Sequence, residues 1–219
     1  MIIKLFFYRR FNLKLTSLED CMIGEPSAQN VLGYNITESQ IRNFYYREEI
    51  RKYLGENHDT VVEIGGGFGG LAGDVISNLK VKQYFLVDLF DALPLAYFYM
   101  KNRLDVDGKI QILTSERSEV DPDARVILLP PCLMHKITTK ASLFINTMSF
   151  QHMSADSVGF YLDEASRLNS QYIFLNNRDW VRDPTDLIIS EYPIPKNYVA
   201  KVWKKWLYGD HNLAIFERN

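Results

Sequence analysis

The stretch that decides the fold of this 219-residue chain is Glu63-Ile64-Gly65-Gly66-Gly67-Phe68-Gly69-Gly70. It follows a β-branched run, Thr60 to Ile64, and precedes a helical stripe of apolar residues from Leu71 to Leu79. Glycines permit a tight turn and let a ligand approach the backbone closely. The following helix directs free N–H groups and the positive end of its dipole at that ligand. A strand, a glycine turn and a helix in this order predict a ligand site at the edge of an α/β sheet.

The same alternation continues on the C-terminal side of the glycine turn. Helical stripes around Leu93 to Leu104 and Val158 to Leu168 separate further strand-like runs. Those runs are 83–88, 125–129, 143–146 and 172–175. Strands that alternate with helices predict an α/β fold, a Rossmann-like, mostly parallel sheet with helices on both faces.

Two segments qualify as the third strand. Residues 110–113 have a strand pattern, and so do residues 125–129. We prefer 125–129 because the gap to the next strand is then short. At the C-terminus, β-prone segments at 198–207 and 213–218 flank Gly209-Asp210 and predict an antiparallel hairpin that closes the sheet.

The N-terminal quarter differs in pattern. Residues 1–10 are apolar but are interrupted by Lys4 and end at Arg9, which predicts an amphipathic element packed on the domain and no spanning helix or signal peptide. Residues 21–36 predict a loop. Thr37 and Gln40 form a capping box for a helix that ends near Gly55. We therefore divide the chain into a helical arm and lid, 1–55, and a sheet domain, 56–219.

Composition limits the partners. The chain is 47% hydrophobic and 24% charged with a net charge of -2, which is typical of a globular domain and indicates no attraction to nucleic acid or anionic lipid. Two cysteines are too few for a zinc site or a disulfide framework and indicate a reducing compartment, the cytoplasm. We expect a small-molecule partner, with no nucleic acid and no membrane, and we allow for a homo-oligomer.

The glycine stretch also fits the dinucleotide fingerprint through Gly65, Gly67 and Gly70. Glu63 argues against it, because a carboxylate beside the turn would repel a pyrophosphate. A ligand with a cationic ammonium or sulfonium group and no phosphate, such as S-adenosylmethionine, tolerates this acid. Asp88, at the end of the second strand, can accept hydrogen bonds from two ribose hydroxyls of either cofactor. The alternative is a plain glycine-rich turn beside an exposed acid.

The pattern at 63–69 resembles motif I of the class I S-adenosylmethionine-dependent methyltransferases, whose seven-stranded sheet ends in a similar hairpin. The chain is most similar to the sugar O-methyltransferase family over about 40–180. Four segments carry that likeness: 63–71, 87–89 with the helix at 97–99, 145–153 and, more weakly, 176–178. One departure is His152, where the family leads us to expect Glu.

The resemblance implies a role for several positions. Gly65, Gly66, Gly67 and Gly69 would pass under the methionine part of S-adenosylmethionine, with Glu63 beneath them. Asp88 would hold the ribose and Leu89 would lie against the adenosine. Pro130 would border the adenine, and Asn146 would close the cofactor site. In this class a helix preceding the domain often covers the cofactor, which makes Tyr46 a lid residue and leaves Tyr45 to the core.

Methyl transfer needs an aligned nucleophile, exclusion of water and, for a hydroxyl acceptor, removal of a proton. His152 follows the fourth strand, and histidine is the usual base near neutral pH. The alternative is that His152 starts the next helix and hydrogen-bonds its backbone. Gln151 and Ser149 could orient acceptor hydroxyls or cap that helix. His135 is assigned a structural role.

Arg178 follows the fifth strand and could bind an acidic or phosphorylated acceptor; the alternative is a surface ion pair with Asp179. Asp179, Asp183 and Asp186 form no recognisable metal-binding loop, so we predict no metal. We interpret the basic and aromatic residues at 201–206 as a solvated strand.

These observations together predict an S-adenosylmethionine-dependent methyltransferase that modifies a hydroxyl of a small acceptor, a sugar or glycoconjugate. The alternatives are a methyltransferase for another small molecule, a nicotinamide-dependent oxidoreductase and a non-catalytic cofactor-binding module.

Overall fold

The computed structural model describes residues 21–104, 109–181, 187–206 and 210–219. Four sequence predictions therefore lie outside the described residues: the amphipathic element at 1–10, the carboxylates of Asp183 and Asp186, and the hairpin residue Gly209.

A sheet of eight strands forms the centre of the described chain, in the order β5-β6-β4-β3-β7-β8-β10-β9. The strands are β3 (Asn57–Ile64), β4 (Lys80–Val87), β5 (Ile110–Ile112), β6 (Val126–Leu129), β7 (Leu143–Thr147), β8 (Tyr172–Arg178), β9 (Tyr198–Lys205) and β10 (His211–Arg218). The six strands from β5 to β8 in this order are parallel. The predicted α/β fold with a mostly parallel sheet is confirmed.

The resemblance implies seven strands, and this number is corrected to eight for the described sheet. Both candidates for the third strand are strands, because β5 pairs in parallel with β6 and adds an edge beyond it. The strand-like sequences at 110–113 and 125–129 therefore both form strands. β6 lies inside the sheet and is buried along its whole length, whereas β5 lies at the edge and is half-buried.

The described residues also form four α-helices, three short 3₁₀ helices and a small hairpin. The helices are α1 (Glu38–Leu54), α2 (Gly70–Asn78), α3 (Leu93–Arg103) and α4 (Ala155–Arg167), and β1 (Gln29–Val31) pairs with β2 (Tyr34–Ile36). Residues 21–36, predicted as a loop, thus contain a short antiparallel pair whose turn includes Gly33 at positive φ. No described helix has the length and apolarity that a bilayer crossing needs.

Two apolar layers pack on opposite faces of the sheet. One layer contains Ile50 of α1, Leu71 of α2 and Met100 of α3. The other contains Val158 and Leu162 of α4. Because apolar residues of each strand alternate between these layers, both faces are covered, as expected for parallel strands.

The C-terminal hairpin is confirmed. β10 pairs antiparallel with both β8 and β9. Pairing with β10 also extends β8 further than its sequence pattern indicates: Asn177 is opposite Asn212 and Arg178 is opposite His211. Residues 176–178, predicted to follow the strand, therefore belong to it.

Helix α1 is fastened to the sheet domain by buried polar contacts. The Thr37 hydroxyl accepts from the Gln40 backbone N–H at 3.1 Å, as the capping box predicts, but the Gln40 side chain donates to Asp74 of α2. Arg47 forms a buried ion pair with Asp74 at 3.0 Å. Moving α1 away would leave the charge of Asp74 buried without its partner, which is strongly unfavourable. These contacts therefore hold α1 beside the glycine turn.

Candidate functional site

The parallel strands bring several predicted residues to one edge of the sheet. In the pairing register, Ile64 of β3 is opposite Val87 of β4 and Asn146 of β7. The residues that follow these strands therefore share one edge, which is where open α/β sheets bind ligands.

The glycine turn is built on backbone geometry. Gly65 donates its N–H to the carbonyl of Val87 at 2.8 Å and has φ +71, in the left-handed region. Its α-carbon faces Ser149: an added Cβ would lie 2.0 Å from the Ser149 Oγ. This position therefore requires glycine twice, for its dihedral angle and for space.

A cavity of about 170 Å³ opens beside this turn. The start of α1, the glycine turn and the end of β7 enclose it, with lining residues Ser39, Arg42, Asn43, Glu63, Gly65, Gly66, Gly67, Phe68, Gly70, Leu71, Thr147 and Met148. Four of the predicted cofactor residues are thus in the lining: Glu63, Gly65, Gly66 and Gly67.

Glu63 is a buried acid at the base of this cavity. Its Oε2 accepts a hydrogen bond from the Tyr84 hydroxyl at 2.8 Å. Burial raises the pKa of Glu63 from 4.5 to about 7, the Tyr84 hydrogen bond opposes this rise, and the Asp88 carboxylate adds to it. Burial also raises the pKa of Tyr84, so its hydroxyl stays protonated and donates. Glu63 therefore changes charge near neutral pH.

Asp88 directly follows β4 and contacts the glycine turn. Its two carboxylate oxygens accept from the backbone N–H of Gly67 at 2.6 Å and of Leu89 at 2.7 Å. Each oxygen keeps a lone pair, and the side chain is only half-buried, so Asp88 can still accept from a ligand. Leu89 is exposed next to it. A carboxylate and an apolar side chain are thus side by side, as a ribose and a base would need.

Asn146 makes three hydrogen bonds within the protein. Its amide nitrogen donates to the carbonyl of Ile64 at 2.9 Å, and its oxygen accepts from the Phe150 N–H at 3.2 Å and from the Asn177 amide at 2.9 Å. The side chain has no exposed surface. Asn146 therefore supports the site from beneath, in place of the direct cofactor contact that the resemblance implies.

Gln151 and His152 form a short 3₁₀ helix with Phe150, after Met148 in the left-handed region at φ +58. The Gln151 amide oxygen accepts from the Arg178 N–H at 3.0 Å, and its amide nitrogen lies 3.3 Å from His152 Nε2. We expected the Gln151 side chain to orient acceptor hydroxyls. It is instead buried and contacts His152 and the Arg178 backbone. His152 is exposed and precedes α4, whose cap is Ser154.

Arg178 is buried at the end of β8, with its guanidinium 5.3 Å from the centre of the Trp180 ring. The Asp179 carboxylate accepts from the Asn212 amide. These contacts replace the surface ion pair that we considered between Arg178 and Asp179.

Three other predicted cofactor residues, Tyr46, Pro130 and Gly69, are not among the residues that line the cavity. Tyr46 is 1% exposed; its ring stacks on Trp206 and its hydroxyl donates to Asn176 at 2.7 Å. The lid role predicted for Tyr46 is therefore corrected to a core role that joins α1 to the hairpin. Pro130 is buried after β6, before a 3₁₀ helix, and Gly69 is the N-cap of α2.

Three lining residues were missed by sequence analysis: Ser39, Arg42 and Asn43 of α1. Their spacing of three and four residues places them on one polar face of the helix. Among the described residues, the Arg42 guanidinium has no hydrogen bond or ion pair. Across the same described ranges, no group of three or more His, Cys, Asp or Glu side chains could hold a metal ion.

Comparison with known sequences finds no matching family model and no matching curated protein. Comparison with solved structures finds methyltransferases. The methyltransferase domain of bacterial CtHen1 has a TM-score of 0.57 and 12% identity, covering 83% of this chain and 100% of that one. Magnesium protoporphyrin IX methyltransferase (ChlM) from Synechocystis PCC 6803, solved with bound SAH, has a TM-score of 0.57 and 8% identity, covering 99% and 94%.

A third similar structure is the mitomycin 7-O-methyltransferase MmcR, with a TM-score of 0.55 and 12% identity. The match covers 82% of this chain and 55% of MmcR. Identities this low show a shared fold. The chain therefore has the Rossmann-like fold of methyltransferases.

Proposed function

We propose that this protein transfers a methyl group from S-adenosylmethionine to an oxygen of a small acceptor. The observation that carries the proposal is the pairing of two carboxylates around one glycine turn: Glu63 buried beneath it and Asp88 half-buried beside it. An acid beneath the turn suits a ligand with a cationic ammonium group and opposes a pyrophosphate. S-adenosylmethionine meets both conditions, and SAH is bound in the similar ChlM structure.

The residues present fit this cofactor. The turn has no side chain at Gly65, Gly66 or Gly67, so a ligand can approach its backbone; a Cβ on Gly66 would lie 2.7 Å from Leu86. Asp88 would hold the ribose hydroxyls, with Leu89 against the adenosine. When bound, the cofactor supplies a methyl group already activated for displacement.

Arg42 extends this assignment to the other end of the cofactor. It is a cation with no partner among the described residues, and it lines the same cavity as Glu63. We assign it to the cofactor carboxylate, with Glu63 facing the ammonium group. One positive and one negative side chain would then recognise the two charges of an amino acid.

Arg42→Ala should weaken binding of S-adenosylhomocysteine about tenfold, the value of one charge-assisted hydrogen bond. Adenosine, which lacks the carboxylate, should bind equally to both proteins in titration calorimetry. Arg42→Lys serves as the matched control and should lose less affinity. Equal losses for adenosine and S-adenosylhomocysteine would contradict the assignment.

We propose a sugar or glycoconjugate as the acceptor. The sequence resemblance implies a sugar or glycoconjugate hydroxyl, and the O-methyltransferase MmcR among similar folds supports oxygen as the target. His152, after β7, is the side chain that we propose contacts the acceptor, with Gln151 behind it. Arg178 would contribute positive charge near an acidic acceptor.

We also propose a cytoplasmic location and no nucleic-acid partner. We propose a division at residue 55 between a covering arm and the sheet domain.

The decisive experiment compares cofactors. Titration calorimetry should detect S-adenosylhomocysteine and not NADH, and Asp88→Ala should reduce S-adenosylhomocysteine affinity about 100-fold, since two charge-assisted hydrogen bonds are lost. Turnover is then measured as S-adenosylhomocysteine release across a panel of sugars, sugar acids and other small acceptors. Binding of NADH without S-adenosylhomocysteine would overturn the proposal. Cofactor binding without turnover on the panel would indicate a binding module.

A further inference from the structure

The contacts of Gln151 determine which nitrogen of His152 carries the proton. The Arg178 backbone N–H can only donate, and it lies 3.0 Å from the Gln151 amide oxygen. This contact fixes the orientation of the amide, because a flipped amide would place two donors against each other.

The amide nitrogen of Gln151 then faces His152 Nε2 at 3.3 Å. An amide NH₂ group only donates, so Nε2 must offer its lone pair. In a neutral imidazole the proton then lies on Nδ1. His152 is exposed, and its Nδ1–H is the polar group left for a ligand.

Further hydrogen bonds lie behind Gln151. Its own backbone N–H donates to the Asn177 oxygen at 3.4 Å, and Asn177 donates to Asn146. Asn146 and Asn177 are fully buried, and Gln151 is 7% exposed. A chain of buried amides therefore connects the floor of the glycine turn to the His152 ring.

We propose that Gln151 is a positioning residue that holds His152 in its Nδ1–H tautomer, so that His152 meets the methyl acceptor as a hydrogen-bond donor and not as a base. This rests on the proposed methyltransferase function and narrows its acceptor. Nε2 is occupied, so His152 cannot remove a proton from a neutral hydroxyl while the Gln151 contact persists.

An acceptor oxygen that is ionised before it binds removes this difficulty. The lone pair of a carboxylate oxygen forms the new O–C bond, the C–S bond breaks with its electron pair kept by sulfur, and no proton has to leave. The second carboxylate oxygen can accept from Nδ1–H. The acceptor class is thus a carboxylic acid, such as a sugar acid, which modifies the hydroxyl acceptor implied by the resemblance.

The first test measures the tautomer directly by ¹⁵N NMR of the imidazole at pH 8, with the His152 signals assigned by their loss in His152→Asn. The wild type should show protonated Nδ1. Gln151→Met removes the donor at similar volume and should shift the ring toward Nε2–H. Protonated Nε2 in the wild type, or an unchanged ring in Gln151→Met, overturns the proposal.

The second test uses turnover. His152→Ala should lower kcat/KM about tenfold, the value of one hydrogen bond to a charged group, and His152→Asn should recover most of that loss because its amide nitrogen occupies the place of Nδ1. His152→Gln, whose amide reaches the place of Nε2, should not recover it. Glucuronate should be methylated in preference to glucose.

Recovery by His152→Gln but not by His152→Asn, or preference for the neutral sugar, overturns the donor role. Failure of the proposed function is distinguishable, because it would appear as absent S-adenosylhomocysteine binding while the NMR result on the tautomer still stands.

Discussion

The chain makes a sharp turn after β3 and another after β7, at two neighbouring places in the sheet. The two turns are stabilised in different ways. Both leave the carboxyl end of a parallel strand and turn sharply beside the cavity. The turn after β3 is made by glycines, with Gly65 in the left-handed region and bonded to Val87. The turn after β7 has Met148 in the same region and is held by the buried amides of Asn146 and Asn177.

The difference teaches which turns can be found in a sequence. A glycine turn needs only its own residues, because the missing side chains make the geometry accessible. An amide-held turn needs partners from another strand, here Asn177 of β8, 31 positions from Asn146. The glycine turn can therefore be recognised in a short stretch of sequence, whereas the amide-held turn can be recognised only in the folded structure.

The largest expected effect comes from Gly65→Ala. Its Cβ would lie 2.0 Å from the Ser149 Oγ and 2.4 Å from the Ser149 Cβ, at a positive φ. We expect a loss of about 4 kcal/mol in the free energy of unfolding, from the dihedral cost and the overlap together. Urea denaturation measures it.

The matched control for this variant is Gly67→Ala, which has φ +56 but no neighbour within 4 Å of an added Cβ. It should cost only the dihedral term, about 1 kcal/mol. Equal losses at the two positions would show that the two junctions are not pressed together at Gly65 and Ser149.

Next in size is Asn146→Ala, which tests the second junction. The change removes a hydrogen bond from each of three groups: the Ile64 carbonyl, the Phe150 N–H and the Asn177 amide. We expect about 3 kcal/mol of destabilisation in urea. Asn102→Ala, which removes one exposed side-chain hydrogen bond to Phe98, should cost well under 1 kcal/mol. A similarly small loss for Asn146→Ala would mean that the amides do not hold this turn.

The smallest effect is the pH dependence of cofactor binding through Glu63. Its pKa of about 7 leaves the carboxyl neutral at pH 6 and charged at pH 8. A carboxylate attracts the ammonium group of S-adenosylhomocysteine, so affinity should rise about tenfold between pH 6 and pH 8. Calorimetry at several pH values measures this rise.

Glu63→Gln is the control for the pH profile, because it keeps an acceptor for the Tyr84 hydroxyl and does not titrate in this range. Its affinity should be flat from pH 6 to pH 8. An unchanged slope in this variant would assign the pH dependence to another group.

The strands of the large sheet, helices α1 to α4 and the glycine turn could be predicted from the sequence, since each has its own periodicity or turn residues. Residues 110–113 and 125–129 were treated as alternatives, although both are strands; the first forms the edge strand β5, which pairs on one side only. Tyr46 was predicted at the cofactor, and Arg42 was not predicted. The side of α1 that faces the cavity depends on the buried Arg47–Asp74 contact, which joins residues 27 positions apart.

By itself, the sequence determined the succession of strands and helices and the glycine junction that marks the ligand edge, because periodicity and missing side chains act over a few neighbouring residues. The tertiary structure decided the eighth strand, the cavity face of α1 and the proton position on His152. Each of these depends on groups distant in sequence, such as the Arg178 N–H that orients Gln151, and only the folded chain brings such groups within hydrogen-bond distance.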